Sequence, residues 1–254
     1  MSSAKRSATW ELRTRQIVLP KSGFESSECE DVIGVDEQNC RFAVADGATE
    51  AFDARNWAQR LAHNWVSSDS ALTPETFNEW VIAEGLALHS SWNQLRLPWY
   101  AEEKARNGSF AAFVGVQLDL KAAVPSWRAI ALGDACLLHC RSGGLLKSLP
   151  LANSEEFNSA PLLVASDPSN YKTSVESLVI DSGRCKNRDV LFLVSDAVAA
   201  WYLQRFEQNE FSDVFEDNDN AALAGLFEEE RAAGRIRNDD IAVMRLEIQQ
   251  RSNS

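Results

Sequence analysis

Several carboxylates of this sequence stand where apolar strand-like runs begin or end. They are Asp46, Asp134, Asp196, Asp239 and Asp240, together with Glu30 and Asp31 before the first such run. Carboxylates at strand ends can converge without being embedded in the core, and a divalent cation makes their mutual repulsion tolerable. Oxygen ligands suit magnesium, manganese or calcium better than zinc. The pattern predicts a metal site if these ends meet; otherwise each aspartate is a turn or surface residue.

The elements that must position these side chains follow from periodicity. Strand-like runs occupy 31–37, 40–46, 110–120, 126–134, 135–140, 145–151, 190–197 and 241–248, and helical patterns cover 51–66, 73–92, a segment ending at 206, and 221–233. Because strands and helices do not alternate, antiparallel sheets with helices outside are expected. We expect one α+β domain over 1–254, with a loose or pairing N-terminal arm at 1–16 and a flap-like insertion at about 152–185.

Composition excludes several classes of protein. The 254 residues are 45% hydrophobic, which argues against wholesale disorder, and 25 Lys+Arg against 37 Asp+Glu give a net charge of −12. That charge disfavours nonspecific nucleic-acid binding. No run reaches the about 18 apolar residues of a membrane span, and the N-terminus has no signal core. An odd set of 5 cysteines without CxxC pairs is typical of a reduced protein, so we expect a cytoplasmic location without membrane partners.

The ordered combination of these segments resembles the metal-dependent protein phosphatases of type 2C. The segments are Glu30-Asp31, Val44-Ala45-Asp46-Gly47, Gly108-Ser109, Gly133-Asp134, Ser195-Asp196 and Asp239-Asp240-Ile241-Ala242-Val243. Each motif is weak alone, but their order and separations fit across residues 15–248. The resemblance implies a central β-sandwich of two antiparallel sheets flanked by helices, in four layers, which agrees with the pattern above.

The resemblance also implies a binuclear site. Asp46 would bridge two manganese or magnesium ions, Gly47 would bind through its carbonyl oxygen, and Asp196 and Asp239 would ligate one ion. Asp46, Asp196 and Asp239 would be the catalytic residues, because they hold the ions that activate a water for in-line attack on phosphorus.

The outer contacts of the implied site are weaker matches. Glu30 and Asp31 would bind or orient metal-bound water, and Asp134 would hold a possible weak third ion. Family members often carry an arginine shortly before the early acidic pair, whereas Ser26 stands four residues before Glu30 here. Lys21 is the best substitute for that arginine in binding the substrate phosphate. The alternative interpretation is that Lys21 is a solvated lysine of a loop.

The expected function is hydrolysis of phosphoserine or phosphothreonine on a phosphorylated protein, in signalling with a cognate Ser/Thr kinase. Two departures leave alternatives open. Ala48-Thr49-Glu50 stands where many members have His or Met followed by Gly-Gly, and the arginine near Glu30 is missing. Asp240 also replaces the asparagine of the last motif, which preserves size but adds charge. A catalytically impaired regulatory binding module of the same fold is one alternative, and a phosphatase of a small metabolite is the other.

Overall fold

Eleven strands form two sheets in the computed structural model, which describes residues 9–68, 73–94, 96–157, 161–170, 177–210 and 219–251. The strands are β1 (Trp10–Leu19), β2 (Asp31–Asp36), β3 (Arg41–Gly47), β4 (Phe110–Asp119), β5 (Ser126–Leu132), β6 (Cys136–Arg141), β7 (Gly144–Leu149), β8 (Val164–Ala165), β9 (Val179–Arg184), β10 (Val190–Val194) and β11 (Ile241–Gln250). The helices are α1 (Ala54–Ser67), α2 (Pro74–Trp92), α3 (Trp99–Arg106), α4 (Asp196–Glu207) and α5 (Asn220–Ala232). Short 3-10 turns lie at Ser26–Glu28 and Ser154–Glu156.

Both sheets are antiparallel. One has the strand order β1-β11-β10-β6-β7, and the other has the order β2-β3-β4-β5-β9 with β8 paired to β4. Adjacent strands pair antiparallel throughout the described registers. The α+β class with two antiparallel sheets flanked by helices is therefore confirmed.

Side chains that alternate along the strands build the layers. Between the sheets, Phe42 and Val44 of β3 pack in one cluster with Met244 of β11. The outer face of the six-stranded sheet is covered by a cluster that includes Trp57, Leu61, Trp65 and Phe77 of α1 and α2. The outer face of the five-stranded sheet is covered by α4 and α5 through a cluster that includes Phe192, Tyr202 and Phe227. The order helix, sheet, sheet, helix is the four-layer arrangement that the resemblance implied.

Two regions that the sequence left open are the N-terminal arm and the range 152–185. The described part of the N-terminal arm pairs with β11 along all of β1, so the pairing alternative describes it; residues 1–8 lie outside the described residues. The range 152–185 holds β8, which pairs with β4, and β9, which pairs with β5. Residues 158–160 and 171–176 of that range lie outside the described residues, and the flap-like insertion stays a prediction.

Among the described residues, no helix combines the length and the apolar character that crossing a membrane requires.

Candidate metal centre

The six-stranded sheet brings three acidic residues to one edge. Asp31 at the start of β2 lies directly opposite Asp46 near the end of β3. The amide of Gly47 donates a hydrogen bond to the carbonyl oxygen of Glu30 at 3.3 Å, which holds Glu30 beside them. Gly47 also runs close to α1, because a Cβ at this position would lie 2.9 Å from the carbonyl oxygen of Ala54. The close approach of β3 to α1 requires glycine here.

In the five-stranded sheet, Ser195 joins the strand ends that lie near these acids. Its amide donates to the carbonyl oxygen of Ala242 at 3.0 Å, and its hydroxyl accepts a hydrogen bond from the Ala242 amide at 2.9 Å. This pair of bonds joins the end of β10 to the start of β11. Asp196, the first residue of α4, is thereby placed next to the segment that carries Asp239.

Asp240 joins the two sheets at this end of the sandwich. Its two carboxylate oxygens accept hydrogen bonds from the backbone amides of Lys21 and Glu30, each at 2.8 Å. The residue is only 5% exposed. An asparagine side chain has one acceptor oxygen and could satisfy one of these amides, so the aspartate at this position has a structural reason.

Three carboxylates form the tightest cluster of the site. One oxygen from each of Asp46, Asp134 and Asp196 lies within 4.8 Å of the others. Asp134, which the sequence suggested only for a weak third ion, belongs to this closest group. Asp31 is 4% exposed, and neither of its carboxylate oxygens makes a well-formed hydrogen bond among the described residues, although the side chain of Ser195 lies near enough to lower its pKa against the effect of burial.

Burial and mutual repulsion favour the protonated form of these acids. Burial raises the pKa of Asp46 well above its usual range, and the charges of Asp31 and Asp196 raise it further. Burial likewise raises the pKa of Asp134 to about 7, with Asp196 as the next cause. A divalent cation relieves both effects, because it pairs with the ionised oxygens and screens them from each other. The all-oxygen donor set and the unpaired oxygens of Asp31 therefore fit magnesium or manganese.

Asp239 lies at the rim of this cluster and is engaged by Lys21. The ammonium group of Lys21 lies 3.2 Å from a carboxylate oxygen of Asp239, 3.9 Å from one of Glu30, and 2.8 Å from the hydroxyl of Thr49. Burial by itself lowers the pKa of Lys21, but attraction to Asp239 and its acidic neighbours outweighs burial and raises it. Lys21 is therefore a charged member of the site, not the solvated loop lysine that was its alternative.

Arg237 is a second cation at the site, and the sequence analysis missed it. Its guanidinium hydrogen-bonds to the carboxylate of Asp196 and lies 3.8 Å from that of Asp239. Its side chain is 54% exposed. The only signal in the sequence is its place two residues before Asp239, which no motif marks.

A second cluster with metal-ligand residue types is already satisfied by hydrogen bonds. His139, Cys185 and Asp189 each offer a ligand atom within 4.8 Å of the others. However, the indole of Trp127 donates to Nδ1 of His139 at 3.3 Å, and Nε2 then carries the proton shared with Asp189 at 2.9 Å. Arg141 donates two further bonds to Asp189, each at 2.7 Å. With both ring nitrogens engaged, this cluster is an ion-pair network of the interior.

Comparisons with known proteins identify solved structures with a similar fold. No model of a known protein family matches the sequence, and no curated protein sequence matches it. The Ser/Thr phosphatase PstP/Ppp of Mycobacterium tuberculosis superposes with a TM-score of 0.63 at 12% identity, over 94% of this chain and 99% of that one. PppA, a regulatory component of T6SS in Pseudomonas aeruginosa, gives 0.60 at 14% identity, over 96% and 100%.

A third solved structure carries metal. The catalytic domain of PstP in complex with two manganese ions superposes with a TM-score of 0.58 at 14% identity, over 95% of this chain and 100% of that one. Such identities establish the fold alone. This chain has the fold of the type 2C, metal-dependent Ser/Thr phosphatases, as the motif resemblance implied.

Proposed function

We propose that this protein is a metal-dependent phosphatase that hydrolyses phosphoserine or phosphothreonine on proteins. The observation that carries the proposal is the convergence of Asp46, Asp134 and Asp196, whose oxygens come within 4.8 Å of one another from separate parts of the chain. Buried like charges cost free energy, so a fold that gathers them needs a cation to make the arrangement favourable. The fold and the cluster together support phosphoryl hydrolysis better than any other reaction.

In this proposal, the described residues hold and orient manganese or magnesium. Asp46, with the carbonyl oxygen of Gly47, would hold two ions, and Asp196 and Asp239 would complete one of them. Asp134 is close enough to Asp46 and Asp196 to bind directly. When bound, such ions lower the pKa of a water to near neutrality and stabilise charge on a phosphate.

The surrounding residues would orient this set. Asp31 and Glu30 would accept hydrogen bonds from metal-bound water and so orient it, since the carboxylate of Asp31 makes no other well-formed hydrogen bond among the described residues. Asp240 would position the segments of Lys21 and Glu30 through their amides. Lys21 and Arg237 would bind the substrate phosphate at the rim of the acidic cluster. Arg237 is the better placed of the two, because its side chain is 54% exposed and that of Lys21 is 19% exposed.

The cysteines agree with a reducing compartment. Cys29, Cys40, Cys136, Cys140 and Cys185 are all free thiols. The proposal therefore includes a cytoplasmic location, with a phosphorylated protein as substrate and a cognate Ser/Thr kinase as the enzyme that supplies it.

The test is hydrolysis of a phosphothreonine peptide and of an aryl phosphate, with manganese and with a chelator. We expect activity only with metal, and the substitution Asp46→Asn should reduce kcat/KM by at least about 100-fold, in the range of losses seen when one charge-stabilising group is removed. Asp119→Asn is the matched control, because Asp119 is the exposed last residue of β4. Equal turnover in chelator, or full activity of Asp46→Asn, contradicts the proposal.

One observation favours a second candidate, a regulatory binding module of the same fold with impaired turnover. Lys21 and Arg237 pair with Asp239 and Asp196, so the chain's own cations neutralise part of the acidic set. If these ion pairs replace a metal, manganese should bind weakly, and the double variant Lys21→Met with Arg237→Gln should bind it more tightly in calorimetry. If the chain is an enzyme, the same variant should lose turnover of phosphopeptides.

A phosphatase of a small metabolite is the third candidate. Comparing the phosphothreonine peptide with small phosphorylated metabolites at matched concentration distinguishes it. A kcat/KM that is higher for a metabolite than for every peptide would replace the protein substrate by a small one and leave the metal chemistry intact.

A further inference from the structure

A groove lined by arginines lies on the outer face of the five-stranded sheet, away from the metal centre. Its volume is about 630 Å³, and its charged and amide-bearing walls are Arg13, Arg15, Arg188, Arg245, Glu247 and Gln249. At a strand rise of about 3.4 Å per residue, Arg245 lies about 14 Å along β11 from Ile241, the strand's first residue, which follows Asp239 and Asp240. The groove is therefore separate from the proposed site of hydrolysis.

The strand register explains why these side chains share one face. Along the antiparallel pair of β1 and β11, Arg15 lies directly opposite Arg245, and Arg13 lies directly opposite Glu247. Ile241 occupies the same face of β11 nearer the metal centre, where it packs in one cluster with residues of α4 and α5. The two helices thus cover the half of this face near the metal centre, and the groove occupies the other half.

The charge of the groove is opposite to that of the protein. The chain as a whole carries a net charge of −12, yet the groove is lined, among the described residues, by four arginines and one glutamate. Arg15 and Arg245 lie directly opposite each other on neighbouring strands, and like charges at such positions repel each other. Although burial opposes it, hydrogen bonds from Gln249 and Arg245 lower the pKa of Glu247, so this glutamate is already engaged by residues of the groove.

Arg245 adds an independent sign of a ligand. Its side chain is largely buried, and the residue is only 9% exposed. One terminal nitrogen donates to Glu247 at 2.9 Å, but its Nε has no hydrogen-bond partner among the described residues. A buried charged donor without an acceptor costs free energy that an anion in the groove would recover.

The side chains that line the groove indicate which kind of anion it would bind. A guanidinium group presents a planar fork that matches the oxygens of a phosphate, which a lysine ammonium does not. The basic residues that line the groove are all arginines. The net charge of −12 would repel a long polyanion such as duplex DNA, whereas a short segment is repelled far less. We propose that this groove binds a phosphorylated acidic peptide segment of a partner protein, with Arg13, Arg188 and Arg245 contacting the phosphate.

Binding can be measured without hydrolysis, so the proposal does not depend on the proposed enzyme activity. The probe is a fluorescein-labelled peptide with one phosphoserine flanked by glutamates, added to the full chain in chelator and followed by anisotropy. The double variant Arg13→Gln with Arg188→Gln should weaken binding at least about tenfold, because it removes two charge-assisted contacts at exposed positions. Arg184→Gln is the matched control, an exposed arginine on β9 of the other sheet, and should leave binding unchanged.

Two further measurements make the result decisive. The peptide with serine in place of phosphoserine should bind at least about tenfold more weakly than the phosphopeptide. Hydrolysis of an aryl phosphate with manganese should be the same in the groove variant and in the unchanged chain, because neither arginine belongs to the metal centre. Equal binding of the groove variant and the unchanged chain, equal binding of the serine peptide, or tighter binding of a DNA duplex each overturns the proposal.

Discussion

Two groups of buried aspartates in this molecule have opposite electrostatics. Asp189 is fully buried, yet hydrogen bonds from Arg141 and His139 overcome the effect of burial and lower its pKa. Asp46 and Asp31 meet other carboxylates instead, and burial with that repulsion raises their pKa values. The free energy of a buried charge thus depends on its partners. The group around Asp189 has its cationic partners in the fold, whereas the group around Asp46 is a set of acids that a cation would stabilise.

The largest expected effect is on the free energy of unfolding, when Asp189 is removed from its network with Arg141 and His139. Asp189→Ala leaves the Arg141 charge and the His139 donor without their acceptor, and we expect a loss of about 3–5 kcal/mol in the free energy of unfolding. The matched control is Asp181→Ala, which removes the half-exposed ion pair with Lys147 and should cost less than about 1 kcal/mol. Urea denaturation measures both. Equal losses in the two variants would show that the interior network contributes no more than a surface pair.

Asp240 tests the link between the sheets and the metal centre. Asp240→Ala leaves the amides of Lys21 and Glu30 without acceptors, which should cost about 1–3 kcal/mol. Displacement of Glu30 should also weaken manganese affinity about 10–100-fold, as loss of a residue that orients metal ligands does. Asp240→Asn keeps one acceptor and should lose less of both.

The control for Asp240 is Asp119→Ala, because Asp119, the exposed last residue of β4, also accepts hydrogen bonds from two backbone amides, at 3.0 and 3.3 Å. Calorimetry with manganese should show unchanged affinity for this variant. Weakened metal binding in Asp119→Ala, or normal binding in Asp240→Ala, would show that the hydrogen bonds accepted by Asp240 do not determine the metal affinity.

The repulsion within the metal centre predicts an unusual sign for a core substitution. In chelator, Asp46→Asn removes one of several like charges and should stabilise the chain by about 1 kcal/mol, or about 2–4 °C in the unfolding midpoint. The same change in the network of Arg141 and His139, Asp189→Asn, should lower the midpoint of thermal unfolding. Thermal unfolding in chelator measures both, and a lower midpoint for Asp46→Asn would mean that its carboxylate is stabilised by partners even without metal.

The pH dependence of stability tests the same repulsion. An acid whose pKa is raised on folding keeps its proton where the unfolded chain has lost it, so stability falls as pH rises. Because the pKa of Asp134 is raised to about 7, chelated protein should lose stability between about pH 4 and pH 7, and Asp134→Asn should make this slope shallower. Asp189 acts in reverse, since its lowered pKa gives stability that is lost as pH falls below about 4. An unchanged slope in Asp134→Asn contradicts the assignment.

Much of the fold could be predicted from the sequence because the strands and helices that build the core carry strong periodic patterns. β1 was left open as a loose or pairing arm, since it is an edge strand whose polar side chains face solvent or the arginine groove. β9, a mostly half-exposed strand at the edge of the other sheet, was assigned to the flap-like range for the same reason. Edge strands bury too little apolar surface to show a clear alternation.

The candidate site was predictable only in outline. The motifs identified the acidic positions, but sequence spacing does not report distance, so Asp134 was expected at a weak third site although it lies in the closest trio. The partners of Asp239 were missed in part, because Arg237 stands in a loop without any motif. The role of Asp240 depends on two backbone amides far away in the chain, and no pattern of residue types records such bonds.

The most direct test of the metal centre is a crystal structure of the protein soaked in manganese, with anomalous scattering measured at the manganese edge. We predict two peaks about 3.5–4 Å apart, bridged by Asp46, with Asp196 released from Arg237. A well-ordered site in which Asp46, Asp134 and Asp196 stay together but no anomalous peak lies among them, and Arg237 keeps its bond to Asp196, would contradict the account.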